Sequence, residues 1–277
     1  MKLFACMCNQ PQRLWAALAP VRATLVAQPP VSRWGMAYSQ GGDVLLVRTP
    51  RSSDKPVDLA GPLAEIHTDC AIALAVASDG FGGTDNTPPF RFRRWMFAQS
   101  GHPDLEPALP RLLEHVPEYL RRNLKGRTPG EIVFHVFLAM LHDEGSVDDP
   151  NLPVAATRRA LAATIKLVGS EQAKTGDFPG GRSESGPLHL RGGFGNIVVS
   201  NGRSMVAARI DHPLRLRRLW LADDAKEPRS ARDHDFRGVL LVSGGDGEAK
   251  DGFEDVPAGR AVLIQRDLQF QLADLNP

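Results

Sequence analysis

Two-residue apolar periodicity marks both ends of this chain, while helical periodicity is confined to its middle. Strand-like segments fall at residues 3–8, 34–39, 44–48, 71–77 and 94–99. Others follow at 196–200, 205–210, 214–221, 239–243, 261–265 and 268–272. Gln40-Gly41-Gly42-Asp43 separates the second and third as a hairpin turn would. Between the two strand groups, Thr128-Pro129-Gly130-Glu131 offers a capping residue, proline at the first helical position and glutamate three after the cap. The helix this starts carries Ile132, Val133, Val136, Phe137, Met140 and Leu141 on one face. A second helix begins near Asn151 and Pro153, with Leu161, Ile165 and Val168 as its stripe. Leu14, Leu18, Val21 and Leu25 also recur at helical spacing, although Pro20 shortens or kinks that segment. Strands at both ends with helices gathered between them predict an α+β fold with antiparallel sheets. Residues 169–193, rich in Gly, Ser, Pro and charge, read as a mobile surface loop within one domain spanning 1–277 rather than as a linker.

Charge narrows the partners. Lys and Arg total 33 against 32 Asp and Glu, so no global field draws the protein to nucleic acid or anionic lipid. No apolar run approaches the ~18 residues of a membrane helix, and the N-terminus lacks a small-residue cleavage site. Three cysteines are too few for a disulfide framework, so the expected location is a reducing cytoplasm.

Few constellations here carry chemistry. Cys6 and Cys8 form a C-x-C pair, but a tetrahedral metal site needs about four ligands and only Cys70 remains. As alternate residues of a strand they share one face with Lys2 and Phe4, which reads as core packing. Arg232-Asp233-His234-Asp235 reads as a solvated loop. Arg91-Phe92-Arg93-Arg94 and Arg215-Leu216-Arg217-Arg218 read as exposed sheet faces, with a shared anion-binding face as the alternative. The loop at 78–89 has Gly80, Gly82 and Gly83 but no lysine and no helix start behind it, so it lacks the makings of a phosphate cradle. No metal and no cofactor is expected.

The order of several short motifs resembles the class II glutamine amidotransferases, in particular the small stand-alone branch of that N-terminal-nucleophile (Ntn) hydrolase family. Leu3-Phe4-Ala5 is similar to the Leu-Leu-Gly after the family's opening cysteine, and Asn9 and Pro11 fit the turn that follows. Arg33-Trp34-Gly35-Met36-Ala37 resembles Asp-Gly-Trp-Gly-Ile-Ala. Asn86-Thr87-Pro88-Pro89-Phe90 resembles Asn-Thr-His-Pro-Phe. The segment from Trp95 through Phe97, Ala98, Gln99 and Ser100 to Gly101 is similar to Trp-x-Phe-Ala-His-Asn-Gly. Thr128 to Glu131 stands where the family has Thr-Asp-Ser-Glu. Val239 to Ser243 and Phe253-Glu254-Asp255-Val256-Pro257 are similar to Val-x-x-Ser and Trp-x-x-Ile-Pro. The likeness spans nearly the whole chain.

The resemblance implies a four-layer αββα sandwich of two antiparallel sheets and hydrolysis of glutamine. The chemistry would use an N-terminal cysteine thiolate with its own α-amine as base, an Asn-Gly oxyanion hole, and an arginine and an aspartate holding the substrate. Position by position, this chain departs from that set. The nucleophile falls on Met1, or on Lys2 if the initiator is counted; bulky Lys2 keeps the methionine in place. The arginine falls on Ala77, the asparagine on Ser100, the histidine on Pro88 and the aspartate on Pro129; Gly101 is kept. The expectation is a catalytically inactive protein acting in binding, regulation or structure toward a protein partner or small ligand. Its residual pocket would be lined by Ser78, Asp79, Thr87, Ser100 and Gly101, and a pocket filled by Met1 and Phe81 would exclude enzymatic readings. The alternative is an active amidohydrolase using Cys6 or Cys8 after processing, although Cys6 lies on the strand face opposite Met1. A third reading repurposes Asp79, Asp85, Ser100 and His102. A homo-oligomer through the sheet faces or arginine-rich strands is compatible with these features.

Overall fold

A computed structural model describes residues 1–77, 79–145, 147–174, 193–221, 235–244 and 252–275. In chain order the elements are β1 (Lys2–Cys8), α1 (Leu14–Leu18), β2 (Val26–Ala27), β3 (Arg33–Gln40), β4 (Asp43–Thr49), β5 (Val57–Asp58) and β6 (Cys70–Val76). Then come β7 (Phe90–Phe92), β8 (Trp95–Gln99), α2 (Leu109–Glu114), α3 (Glu118–Arg121), α4 (Pro129–Asp143) and α5 (Val154–Ala173). The last strands are β9 (Ile197–Ser200), β10 (Met205–Ala208), β11 (Leu214–Leu221), β12 (Phe236–Ser243), β13 (Glu254–Asp255), β14 (Arg260–Ile264) and β15 (Phe270–Asp274).

Two antiparallel sheets dominate, one of order β13-β11-β12-β1-β6-β3-β4 and one of order β15-β14-β10-β9-β8-β7. Strand β1 lies in the middle of the first sheet, paired with β12 and β6, so both its faces are buried. Leu3, Ala5 and Met7 enter the core between the sheets. Phe4, Cys6 and Cys8 face outward into a second core, closed by α1 and a 3₁₀ segment at Ala19–Leu25. The third core lies between the other sheet and α2, α4 and α5. Three cores separate four layers, and the architecture is the expected αββα sandwich.

Local chemistry explains most elements. Gly41 and Gly42 take positive φ in the β3–β4 turn, as the hairpin reading requires. Helix α4 starts where its cap predicts: Thr128 is extended, its hydroxyl accepts the Glu131 N–H at 3.3 Å, and Pro129 follows at the first helical position. The Glu131 carboxylate accepts the N–H groups of Lys125 (3.0 Å) and Gly126 (2.7 Å), so it fastens the approach to the helix rather than the cap itself. Aromatic pairs seat α4 on the sheet, with Phe97 stacked on Phe134 and Trp95 edge-on to Phe137. Each of these buried rings stabilises by about 1.5–3 kcal/mol.

The structure adjusts three expectations. The 14–25 segment is a five-residue α-helix followed by a 3₁₀ stretch whose second residue is Pro20, since proline cannot donate the bond that would continue an α-helix. Residues 169–173, expected in a loop, complete α5; residues 175–192 lie outside the described residues. The last strand begins at Phe270 rather than Leu268, because Leu268 takes positive φ in the turn before it.

Candidate functional site

A cleft opens where the beginning of β1, the ends of β6 and β8 and the first turn of α4 converge. It encloses ≈ 300 Å³ of empty space when its open mouth is counted.

Arg33, the first residue of β3, reaches into this cleft with its side chain only 2% exposed. Its two terminal nitrogens clasp the two carboxylate oxygens of Asp79, itself 4% exposed. It also donates to the carbonyl oxygens of Phe81 (2.7 Å) and Asn86 (2.9 Å). Asp79 further accepts the Phe81 N–H at 3.1 Å, and His102 brings Nδ1 to 3.6 Å from the carboxylate. The Phe81 ring lies over His102 at the mouth, with centroids 5.3 Å apart. Such a fork-to-fork pair is the strong form of charge-assisted hydrogen bond, and here it stands in a water-poor recess.

That pair also shapes the loop walling the cleft. Arg33 holds its start, while Arg48 from β4 donates to the carbonyls of Thr84 and Pro89 at its end. The Asn86 side chain accepts the Arg127 N–H at 2.8 Å and donates to Gly82 O at 2.7 Å, tying the loop to the approach of α4. The loop is therefore held by arginines from two neighbouring strands.

The far wall is Gln99, Gly101, Thr128 and Gly130. Gln99 is 4% exposed; its Nε2 donates to Phe194 O at 2.8 Å, and its Oε1 is buried without a partner among the described residues. Gly101 must be glycine, since a Cβ there would stand 2.1 Å from Phe194 O. Burial pushes the Glu131 carboxyl above its usual range, opposed by the Lys125 and Gly126 N–H groups.

Of the positions singled out from sequence, Met1, Asp79, Pro88, Gly101 and His102 line the cleft. Ser100 turns away into the core: its hydroxyl accepts the Asn196 N–H at 3.0 Å and its own N–H donates to Asn196 O at 2.8 Å. Asn196 in turn donates to the Ser243 hydroxyl at 2.8 Å, so this cluster ties the two sheets together. Thr87 is fully buried with its hydroxyl on Gly83 O, Pro129 is held at the start of α4, and Ala77 follows the end of β6. Ser78 lies outside the described residues, as do Arg232, Asp233 and His234, while Asp85 and Asp235 are exposed. Lys2 points to the outer face and donates to Gly244 O at 2.8 Å.

The cysteines are nowhere near the cleft. Cys6 and Cys8 sit in the outer core and Cys70 between the sheets, all three as free thiols. Burial pushes the Cys8 and Cys70 thiols up to about 12, and Cys6 well above its ordinary value. The arginine-rich segments lie at opposite edges of the sandwich: Arg91 donates to Val44 O beside β4, whereas Arg215 pairs with Asp255 and Arg218 lies over Phe270. They form no common face. Among the described residues no three His, Cys, Asp or Glu side chains are placed to hold a metal ion, and no helix is long and apolar enough to cross a membrane.

Sequence reasoning quoted Arg33 within a motif but missed it, and Gln99, as cleft residues. The available signal for Arg33 was a cation opening an otherwise apolar strand that central pairing buries.

No protein-family model and no curated protein matches the sequence. Solved structures do. A glutamine aminotransferase class-II domain protein from Silicibacter pomeroyi superposes with a TM-score of 0.62 at 17% identity, covering 100% of both chains. A predicted glutamine amidotransferase from Pseudomonas aeruginosa gives a TM-score of 0.53 at 16% identity, over 96% of this chain and 98% of that one. At such identities the likeness is one of fold: this chain has the fold of the class II glutamine amidotransferase domain proteins.

Proposed function

We propose that this chain is a non-hydrolytic member of that fold whose cleft serves binding rather than amide cleavage. The observation that carries the reading is the Arg33–Asp79 pair: a guanidinium and a carboxylate satisfy each other within the recess. A carboxylate-bearing substrate would have to displace Asp79 and leave that charge buried without its partner, at a cost of about 3–5 kcal/mol.

The other cleft groups support the same reading. Met1 offers a thioether, which has no proton to surrender and forms no acyl intermediate as a thiolate does. Ser100, at the position of the resemblance's oxyanion asparagine, has both its hydroxyl and its N–H engaged by Asn196. The three thiols lie buried in the cores, which argues against a cysteine-based alternative.

Ammonia release from L-glutamine by the purified protein tests the proposal. The expected rate equals that of buffer alone; turnover that disappears on Asp79→Ala would refute it.

A further inference from the structure

The first sheet ends in β4, whose outer edge pairs with no other strand among the described residues. Its register against β3 runs without a bulge from Asp43 to Thr49. The two-residue Gly41-Gly42 turn makes Gln40 and Asp43 the first hydrogen-bonded pair of that hairpin. Alternation then directs the backbone groups of Asp43, Leu45, Val47 and Thr49 toward β3, and those of Val44, Leu46 and Arg48 away from it. Among the described residues, only the Val44 carbonyl of that outward set is engaged, by Arg91 of β7.

The other sheet edges are guarded. Strand β13 has two residues and β7 three, while the Leu272 and Asp274 carbonyls of β15 accept Arg260 and Arg158. Strand β4 carries no proline or lysine, and its Arg48 guanidinium is turned to Thr84 O and Pro89 O. On its outer face Leu45 is 37% exposed beside half-buried Val47, and Tyr38 and Trp34 of β3 continue the apolar strip.

We propose that this edge is a homodimer interface, in which β4 pairs antiparallel with β4 of a second copy, two-fold about Leu46. A long bare edge invites strand addition, and two features select a second copy as the occupant. The first is self-complementarity. With Leu46 opposite the partner's Leu46, Val44 meets the partner's Arg48 and the outward backbone groups of both strands satisfy each other. Leu45 then faces the partner's Val47, so the apolar strip continues across the pair. The second is charge. Exposed Asp43 begins the strand and exposed Arg51 lies just past its end, so antiparallel pairing sets Asp43 near the partner's Arg51. Two-fold pairing uses the edge of both copies, and association stops at the dimer.

Sedimentation velocity of the full chain over a range of concentrations reads the equilibrium. The expected result is a monomer–dimer equilibrium that Leu45→Lys weakens about tenfold or more by placing charge in the strip, with the urea midpoint unchanged. Register gives a second check. Leu45→Cys mixed with Val47→Cys should cross-link on oxidation, because these positions face each other about 4.5 Å apart at Cα. Leu45→Cys alone should not, since its two copies lie diagonally, about 8 Å apart and beyond disulfide reach. A chain that stays monomeric at every concentration, whether its edge is bare or takes some other strand, overturns the proposal. So does a dimer that Leu45→Lys leaves intact, or cross-linking of Leu45→Cys alone that matches the mixture.

Discussion

Arg33 and Asp79 stand 46 positions apart in the chain and meet as a bidentate ion pair with almost no exposure, 2% and 4%. The pair links β3 to the loop that walls the cleft, and Arg33 holds two carbonyls of that loop besides.

Breaking this pair from one side leaves a buried charge alone. Arg33→Met should cost about 3–5 kcal/mol, whereas Arg33→Met with Asp79→Leu should recover part of that loss. Recovery should stay incomplete, because the Phe81 and Asn86 carbonyls still lose their donor. Urea denaturation of the two single variants and the double variant measures the coupling. Strictly additive losses would show that the pair is not the keystone described.

Ser100→Ala should destabilise by about 1–3 kcal/mol, the penalty for orphaning a buried N–H. The group orphaned is the Asn196 N–H, which the Ser100 hydroxyl accepts at 3.0 Å. The midpoint of chemical unfolding reports it, and a change within about 0.5 kcal/mol would place Ser100 outside the network.

The thiols should be inert in the native state. With Cys8 and Cys70 at about 12 and Cys6 raised as well, almost no thiolate exists at pH 8. A chromogenic disulfide reagent should therefore titrate none rapidly in the folded protein and all three in denaturant. One fast-reacting native thiol would revive the cysteine-nucleophile alternative.

His135 should make the protein acid-sensitive. It is 3% exposed, its Nδ1 lies 2.9 Å from Glu131 O and its Nε2 is buried without a partner among the described residues. Burial holds the imidazole below its ordinary 6.5, partly offset by the Glu131 carbonyl. The unfolded chain then binds the proton more readily, so stability is full above pH 6.5 and falls as pH drops toward the lowered value. The slope is at most about 1.4 kcal/mol per pH unit for one proton. Glu131, pushed upward by burial, acts in the opposite sense at its own lower range. The difference between the unmodified protein and His135→Leu is therefore the readout: the variant should lose the slope that sets in below pH 6.5.

Much of the scaffold was legible because its signals are local. A glycine pair set the β3–β4 hairpin, Thr128 and Pro129 set the start of α4, and alternation placed Cys6 and Cys8 on one strand face. The site was less legible because its contacts are not local. Ser100 looked like a cleft residue by position, yet Asn196, 96 residues later, draws it into the sheet-to-sheet network. Asp79 was named without its partner, since nothing near it in sequence says that a guanidinium will arrive from β3.

The sequence by itself therefore determined the order of strands and helices and the helix caps, both consequences of short-range backbone preference and residue chemistry. Only the tertiary structure decided which groups meet. Packing two sheets face to face drives Arg33, Asp79 and Gln99 out of water into one recess. There, low dielectric turns the first two into a closed pair and leaves the side-chain oxygen of the third without a partner among the described residues.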